Sequence, residues 1–252
     1  MNRPVREQQR MLRDDDHAFL LHLVPRLDHG HYTPIYFAPG GHVYLSYLEH
    51  ALSRLAVRQW QSLIDVGCGQ GRLVAMLHER FPSRTIMGVD PSERAIALAR
   101  ALVPHAKFRA GDITRHGLID ETFDVATCIE TLATIEPARL PDFVGALRRL
   151  LNDDGTLLVT VPSTNMPPAG ARQHFTAASL EAALAAQFRL ERMEYLNRRD
   201  LLSRLAEKVL FNRYFAVTDK RALQFFYRHY RRHHTVTDER RGERILGIFR
   251  AI

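Results

Sequence analysis

The sequence predicts an α/β protein built on a doubly wound, mainly parallel sheet of seven strands. Two observations predict this class. Apolar runs of strand length alternate with stretches of helical periodicity, and the first apolar run turns through three alternating glycines into a helical pattern. With 252 residues, 46% of them hydrophobic, the chain can form one sizeable domain with elaborations.

The periodicity gives each element an expected range. The predicted strands are 62–66, 85–90, 106–110, 123–129, 156–162, 188–195 and 244–250. The predicted helices are 43–55, 72–80, 92–102, 138–151 and 177–186. Ser92 has the short hydroxyl side chain that favours a helix N-cap.

Two regions lie outside this pattern. Residues 1–42 are predicted to form an N-terminal segment ahead of the main domain, which spans residues 43–252. Within that domain, residues 197–242 form an insertion before the last strand that is far longer than a hairpin needs. Its periodicity predicts two amphipathic helices, near 199–211 and 219–234, that serve as a lid or as a homodimer element.

The positive charge of the chain is concentrated in that insertion. The formal net charge is +7, and residues 198–241 contain twelve Lys or Arg against five Asp or Glu, which accounts for the whole excess. Such a segment suits an anionic partner, although a solvated helix face has the same composition. The chain lacks an apolar signal core and a run of membrane-spanning length, and its two cysteines, Cys68 and Cys128, are interpreted as structural. We therefore predict a cytoplasmic protein.

The glycine turn predicts a nucleotide-cofactor site. The segment reads Leu63-Ile64-Asp65-Val66-Gly67-Cys68-Gly69-Gln70-Gly71-Arg72. Residues without side chains let the backbone approach a ligand at a helix N-terminus. Asp90 ends the second apolar run nineteen residues after Gly71, where a carboxylate can accept the hydroxyls of a ribose. Asp65, just ahead of the glycines, suits a cationic ligand.

These residues closely resemble the first motifs of the class I S-adenosylmethionine-dependent methyltransferases. Later motifs follow in the family's order: Asp90-Pro91-Ser92 for ribose, Gly111-Asp112-Ile113 for adenine, the fourth strand Phe123–Glu130, and the turn Leu151–Val159. The resemblance implies a Rossmann-like methyltransferase sheet with an antiparallel last strand. It also implies that residues 1–42 are an N-terminal cover segment over the cofactor and substrate. It also implies that S-adenosylmethionine is bound by Asp65, Gly67, Cys68, Gly69, Asp90, Pro91, Asp112, Ile113 and Ile129.

The C-terminal half resembles the type-11-like bacterial methyltransferases, often associated with polysaccharide and secondary-metabolite pathways. The matching segments are Val161-Pro162-Ser163, His174-Phe175-Thr176, Phe188-Arg189-Leu190, Asn197, Asn212-Arg213 and Gly242-Glu243-Arg244-Ile245. This resemblance implies a lineage but no particular acceptor.

Glu130 follows the fourth strand and is a candidate catalytic residue. Some relatives resemble E-x-x-E-H at this point and use the acid and histidine at a divalent metal, but this chain has Ala133 and Thr134 there. We therefore expect no metal site of that kind. Glu130 either holds substrate or caps backbone amides.

His174 is the preferred general base, because the ordinary pKa of histidine lies near neutral pH and the loop after the fifth strand should overhang the acceptor. The alternative role is capping of the next helix with Thr176. The candidate substrate-binding residues are His31, Tyr32 and Tyr36 from the cover segment and Arg228 from the insertion.

We predict an enzyme that methylates a small-molecule or sugar-like acceptor, at oxygen and without a metal, with an anionic acceptor favoured by the basic insertion. Carbon and nitrogen acceptors stay open. The alternatives are an RNA methyltransferase that uses the basic insertion and a non-catalytic S-adenosylmethionine-binding partner protein. Nucleic acid is not favoured, because Glu130-Thr131-Leu132-Ala133 lacks the D/N-P-P-Y/F pattern of base amino methylation.

Overall fold

The computed structural model describes residues 26–28, 31–33, 41–167, 173–198, 225, 228, 231–233 and 235–252. The strands are β1 Arg26–Asp28, β2 His31–Thr33, β3 Ser62–Val66, β4 Thr85–Asp90, β5 Lys107–Ala110, β6 Phe123–Ile129, β7 Leu151–Pro162, β8 Phe188–Arg198, β9 Val236–Thr237 and β10 Gly242–Ala251. The helices are α1 Gly41–Ala56, α2 Arg72–Arg80, α3 Glu93–Leu102, α4 Leu140–Arg149 and α5 Ala177–Leu184. Two short 3₁₀ turns span Leu132–Thr134 and Pro137–Arg139.

The main sheet has the strand order β5-β4-β3-β6-β7-β10-β8-β9, and β1 and β2 form a separate hairpin. The pairs β5–β4, β4–β3, β3–β6 and β6–β7 are parallel, whereas β10 is antiparallel to both β7 and β8. The predicted α/β sheet and its antiparallel last strand are confirmed. The main sheet has eight strands instead of seven, because the two-residue β9 adds to the edge at β8 and is too short to leave a sequence pattern.

Several element bounds differ from the prediction for local reasons. Strand β7 begins five residues early, because Leu151 already pairs with Phe123 ahead of a register shift. Helix α4 is correspondingly shorter at its end, and its predicted first residues form the 3₁₀ turn Pro137–Arg139 instead. Strand β8 continues three residues further, to Arg198. The predicted N-cap is confirmed: the Ser92 hydroxyl accepts a hydrogen bond from the Ala95 N–H at 3.2 Å.

Two apolar cores lie on opposite faces of the main sheet. One cluster contains Leu147 of α4 and Leu180 of α5 with Val159 and Phe249 of the sheet. The other contains buried residues of α1, α2 and α3 against the opposite sheet face: Leu48, Leu77, Ile96, Leu158 and Leu246. Because both faces are covered, the carboxyl ends of the parallel strands are where such a fold places a ligand.

Candidate active site

The glycine turn lies at the carboxyl end of β3 and is tied to β4. The N–H groups of Gly67 and Cys68 donate to the Val89 carbonyl at 2.8 and 3.1 Å. Gly67, Gly69 and Gly71 have φ angles of 75°, 52° and 75°, in the left-handed region that favours glycine. No described atom lies within 4 Å of a Cβ built on Gly69. The turn therefore offers bare backbone to a ligand.

Asp90 reaches this turn from the end of β4. Its Oδ2 accepts a hydrogen bond from the Gly69 N–H at 2.9 Å, and its Oδ1 accepts one from the Ser92 N–H at 2.9 Å. The two bonds orient the carboxylate at the open side of the turn. This is the position that the sequence predicts for the ribose-binding acid.

Asp65 lies in β3, two residues before Gly67, and is only 3% exposed. Burial raises the pKa of its carboxyl group to about 7, and the negative charge of Asp90 adds to the shift, while a hydrogen bond from the Thr127 hydroxyl at 2.7 Å opposes it. At neutral pH the Asp65 carboxyl group is therefore present in both its protonated and its ionised form. A cationic ligand nearby would stabilise the ionised form.

Asp112 occupies the predicted adenine side of the site. It is joined to Asp90 by the Gly111 N–H, which donates to the Asp90 carbonyl at 2.9 Å. Its carboxylate accepts hydrogen bonds from the N–H and hydroxyl of Thr114 at 2.9 and 2.8 Å and from Arg139 at 2.7 Å. Partial burial acts against them, but these donors hold its pKa below the ordinary value. Arg139, the partner that fixes this acid, is not among the residues predicted from the sequence.

The remaining predicted cofactor residues occupy the same edge. Ile113 and Ile129 are buried and Pro91 is exposed. Cys68 and Cys128 are buried free thiols, and burial raises the pKa of both, that of Cys128 to about 12. Protonated thiols of this kind are poor nucleophiles, which agrees with their interpretation as structural.

Glu130 is buried at the end of β6 and has a positive φ of 59°. Its N–H donates to the Thr160 carbonyl at 2.9 Å, and its Oε1 accepts a hydrogen bond from the Thr160 hydroxyl at 3.2 Å. The same oxygen lies 3.3 Å from Nε of Arg244 in an ion pair. Arg244 is not among the site residues predicted from the sequence, although it is a charged residue at the start of the largely apolar final strand.

Thr131, the next residue, contacts the glycine turn. A Cβ built on Gly67 would lie 2.0 Å from Oγ1 of Thr131, and that hydroxyl donates to the Ile129 carbonyl at 3.2 Å. The segment after β6 therefore packs directly against the predicted cofactor site. Thr131 is not among the site residues predicted from the sequence.

His174 lies at the same edge, beside the end of β7. The Phe175 N–H donates to the Pro162 carbonyl at 2.9 Å, and the Gln173 N–H donates to the Ala133 carbonyl at 2.9 Å. His174 is half-buried between these two anchors. Helix α5 is capped reciprocally by Thr176 and Ser179, so the described cap does not use the His174 side chain. Its role as a general base stays a prediction.

The predicted substrate-binding residues are only partly described. His31 and Tyr32 lie in β2, Arg228 is an exposed helical residue, and Tyr36 lies outside the described residues. Most of the cover segment and most of the two predicted helices of the insertion also lie outside them. Nearby in the insertion, Arg231 forms an ion pair with Glu49 of α1.

Within the described ranges, no three His, Cys, Asp or Glu side chains come together as metal ligands. No helix of the described chain is long and apolar enough to cross a membrane.

Part of the chain is similar in sequence to known methyltransferases. Residues 63–155 match the family model described as a methyltransferase domain. Trans-aconitate 2-methyltransferases of Escherichia coli and Shigella flexneri are 32% identical over 120 residues, which are 46% of this chain and 45% of theirs. The chain thus matches less than half the length of these curated relatives.

Solved structures share the fold at low sequence identity. The MccD protein aligns with a TM-score of 0.57 and 17% identity over 85% of this chain and 100% of its own. The [4+2]-cyclase SpnF aligns with a TM-score of 0.57 and 19% identity over 81% and 80%. An S-adenosylmethionine-dependent methyltransferase from Archaeoglobus fulgidus aligns with a TM-score of 0.55 and 14% identity over 81% and 94%. Residues 63–155 therefore resemble a methyltransferase domain in sequence, and the described chain shares the fold of these solved structures.

Proposed function

We propose that this protein transfers the methyl group of S-adenosylmethionine to the oxygen of a small, anionic acceptor. The observation that carries the proposal is the Asp90 carboxylate, held on the Gly69 N–H at the open side of the glycine turn. The cofactor supplies an activated methyl group on a sulfonium centre. The protein binds it, orients the acceptor and excludes competing water.

Three acids at the carboxyl edge of the sheet are proposed to bind different parts of the cofactor. Asp90 faces the ribose position, Asp112 is fixed by Arg139 on the adenine side, and Asp65 lies below the turn, where the family resemblance places the amino-acid end of the cofactor. An ionised Asp65 would complement the ammonium group of the cofactor, whereas Asp90 and Asp112 would accept hydrogen bonds from its neutral ribose and adenine parts. The residues present therefore fit S-adenosylmethionine.

Two observations support a small anionic acceptor. The relatives with matching sequence are named for trans-aconitate, a tricarboxylic acid. The insertion at 197–242 concentrates the positive charge of the chain, and its two ends meet at the carboxyl edge, where the Asn197 N–H donates to the Thr235 carbonyl at 2.8 Å. We propose the insertion as a lid or homodimer element of the 43–252 domain, with residues 1–42 as a second cover.

The direct test is to incubate the protein with S-adenosylmethionine and a panel of acceptors, and to identify methylated products by mass spectrometry. The panel contains trans-aconitate, other di- and tricarboxylates, sugars, phenols and tRNA. We expect a product one methyl group heavier from a carboxylate-bearing acceptor. A product from tRNA alone would favour the RNA alternative. Cofactor binding with no product from any acceptor would favour the non-catalytic alternative.

Replacement of His174 by alanine tests the general base. With a hydroxyl acceptor we expect kcat to fall about a hundredfold or more, because the hydroxyl proton must be removed during transfer. A carboxylate acceptor is already ionised at neutral pH, so its kcat should not change. Steady-state kinetics with both acceptor types measure the difference. An equal loss with both would contradict the general-base role and assign His174 to positioning.

The raised pKa of Asp65 predicts pH-dependent cofactor binding. The product S-adenosylhomocysteine carries an ammonium group that favours the ionised carboxylate, so its affinity should rise about tenfold from pH 6 to pH 8 as a group with a pKa of about 7 loses its proton. Calorimetric titrations in buffers of different ionisation enthalpy should show proton release at pH 6 and little at pH 8. Asp65→Asn should remove the dependence. A flat profile in the unmodified protein would contradict the assignment.

A further inference from the structure

A polar cluster that the cofactor motifs do not use surrounds Arg244 at the start of β10. The Arg244 guanidinium carbon lies 5.0 Å from the centroid of the Tyr47 ring, and its Nε lies 3.3 Å from Oε1 of Glu130. The Thr160 hydroxyl donates to that same Glu130 oxygen at 3.2 Å. Glu130 and Tyr47 are almost fully buried, whereas 12% of the Arg244 side chain is exposed. The guanidinium is therefore held between Tyr47 and Glu130, and a small fraction of the Arg244 side chain is exposed.

The sheet register places this cluster at the carboxyl edge. Arg244 pairs with Pro162, the last residue of β7, and with Leu196, close to the end of β8. Arg244 is also linked to the predicted cofactor site. Thr131 packs on Gly67, and the neighbouring residue, Glu130, forms an ion pair with Arg244. Arg244 thus lies at the same edge of the sheet as the glycine turn, beside the segment that packs on that turn.

Two residues close to Arg244 have strained backbone conformations of the kind found at binding sites. Among the described residues, Glu130 and Asn197 are the two non-glycine residues with positive φ, at 59° and 61°. Glu130 is the ion-pair partner of Arg244, and Asn197 follows Leu196, its register partner. Such conformations persist where the surroundings impose them, and they concentrate at functional sites.

Two buried polar atoms, one on Asn197 and one on its neighbour Thr235, point to a polar ligand. Asn197 is fully buried, yet its Nδ2 lacks a hydrogen-bond partner among the described residues. The same holds for Oγ1 of Thr235, whose carbonyl accepts from the Asn197 N–H. Buried polar atoms are nearly always paired, so exceptions call for a water molecule or a ligand. The edge beside Arg244 is therefore suited to oxygen atoms.

We propose that Arg244 binds a carboxylate group of the acceptor, so that the substrate class is carboxylate-bearing small molecules. A planar guanidinium can donate two parallel hydrogen bonds to one carboxylate. Tyr47 and Glu130 are positioning residues that fix its plane. The proposal rests on the proposed methyltransferase function and adds the residue that selects the acceptor.

The test measures carboxylate binding to protein saturated with S-adenosylhomocysteine, by calorimetric titration. The probes are trans-aconitate, propane-1,2,3-tricarboxylate and the neutral trimethyl ester of trans-aconitate. We expect at least one of the two acids to bind and the ester to bind at least about tenfold more weakly. Arg244→Met should weaken binding of the acid about thirtyfold or more. Arg244→Lys should weaken binding less, because lysine keeps the positive charge but loses the paired N–H donors of the guanidinium.

Arg192→Met is the matched control. Arg192 is also a strand arginine ion-paired to a buried acid, Glu194, but that acid keeps His50 and Arg54 as partners in the variant. We expect its carboxylate affinity to equal that of the unmodified protein. S-adenosylhomocysteine affinity should be unchanged in all of these variants, because none of the replaced side chains belongs to the glycine turn or to the three acids beside it.

The outcomes distinguish failure of the Arg244 proposal from failure of the proposed methyltransferase function. Unchanged carboxylate affinity in folded Arg244→Met would overturn the role of Arg244. Binding of S-adenosylhomocysteine without binding of either acid would overturn the carboxylate class and leave methyl transfer to neutral acceptors. Failure to bind S-adenosylhomocysteine would instead overturn the proposed function. If Arg244→Met does not fold, the acid-to-ester ratio in Arg244→Lys decides, and an unchanged ratio would count against the proposal.

Discussion

Replacing Gly67 with alanine should weaken S-adenosylhomocysteine binding at least about a hundredfold, the combined effect of a steric clash and an unfavourable left-handed backbone. Gly67 has a φ of 75°, and its added Cβ would lie 2.0 Å from Oγ1 and 2.6 Å from Cγ2 of Thr131. Neither neighbour can move freely, because the Gly67 N–H is bonded to Val89 and the Thr131 hydroxyl to Ile129. The turn must shift, and with it the backbone that faces the cofactor. Calorimetric titration measures the loss.

Gly117→Ala is the matched control for backbone strain. Gly117 has a φ of 76°, but no described atom lies within 4 Å of its added Cβ. This variant should lose about 1 kcal/mol of stability and keep its cofactor affinity. Adding Thr131→Ala to Gly67→Ala removes the two closest atoms and leaves the Thr131 Cβ at 2.7 Å, so binding should recover in part. No recovery, or an equal loss in Gly117→Ala, would contradict the proposed contact.

Features encoded by local sequence could be predicted. The bounds of α2, β3, β4 and β6 follow from short apolar periods and turn residues, and the structure has them as predicted. The pairing of Asp90 with the glycine turn was also predictable, since adjacent parallel strands end at the same sheet edge.

Features that depend on distant parts of the chain could not be predicted in the same way. Glu130 and Arg244 meet because β10 inserts antiparallel between β7 and β8, and nothing in the local sequence of Glu130 indicates that partner. Asp112 likewise takes Arg139, 27 residues later, as its partner. The acids predicted to bind a cofactor are marked by local sequence, whereas the sheet topology determines which cations pair with them.

The second large effect is expected for Asp90→Ala, which should weaken S-adenosylhomocysteine binding about tenfold to a hundredfold. The reason is that a carboxylate accepting hydrogen bonds from ribose hydroxyls contributes about 1.5–3 kcal/mol. Part of any loss could arise from the fold itself, because Asp90 also accepts hydrogen bonds from the N–H groups of Gly69 and Ser92. Thermal unfolding should therefore show a modest loss of stability as well.

Asp124→Ala separates these two causes, because Asp124 makes the same kind of contact away from the predicted cofactor site. Its Oδ2 accepts hydrogen bonds from the N–H groups of Gln61 and Ser62 at 2.7 and 3.0 Å, where β3 and β6 begin. Removing it should destabilise the protein by about 1–3 kcal/mol, as for Asp90, and leave cofactor affinity unchanged. If both variants lose affinity equally, the loss reflects destabilisation. If Asp90→Ala binds S-adenosylhomocysteine as tightly as the unmodified protein, the end of β4 is not the ribose site, and the proposed orientation of the cofactor along this edge is wrong.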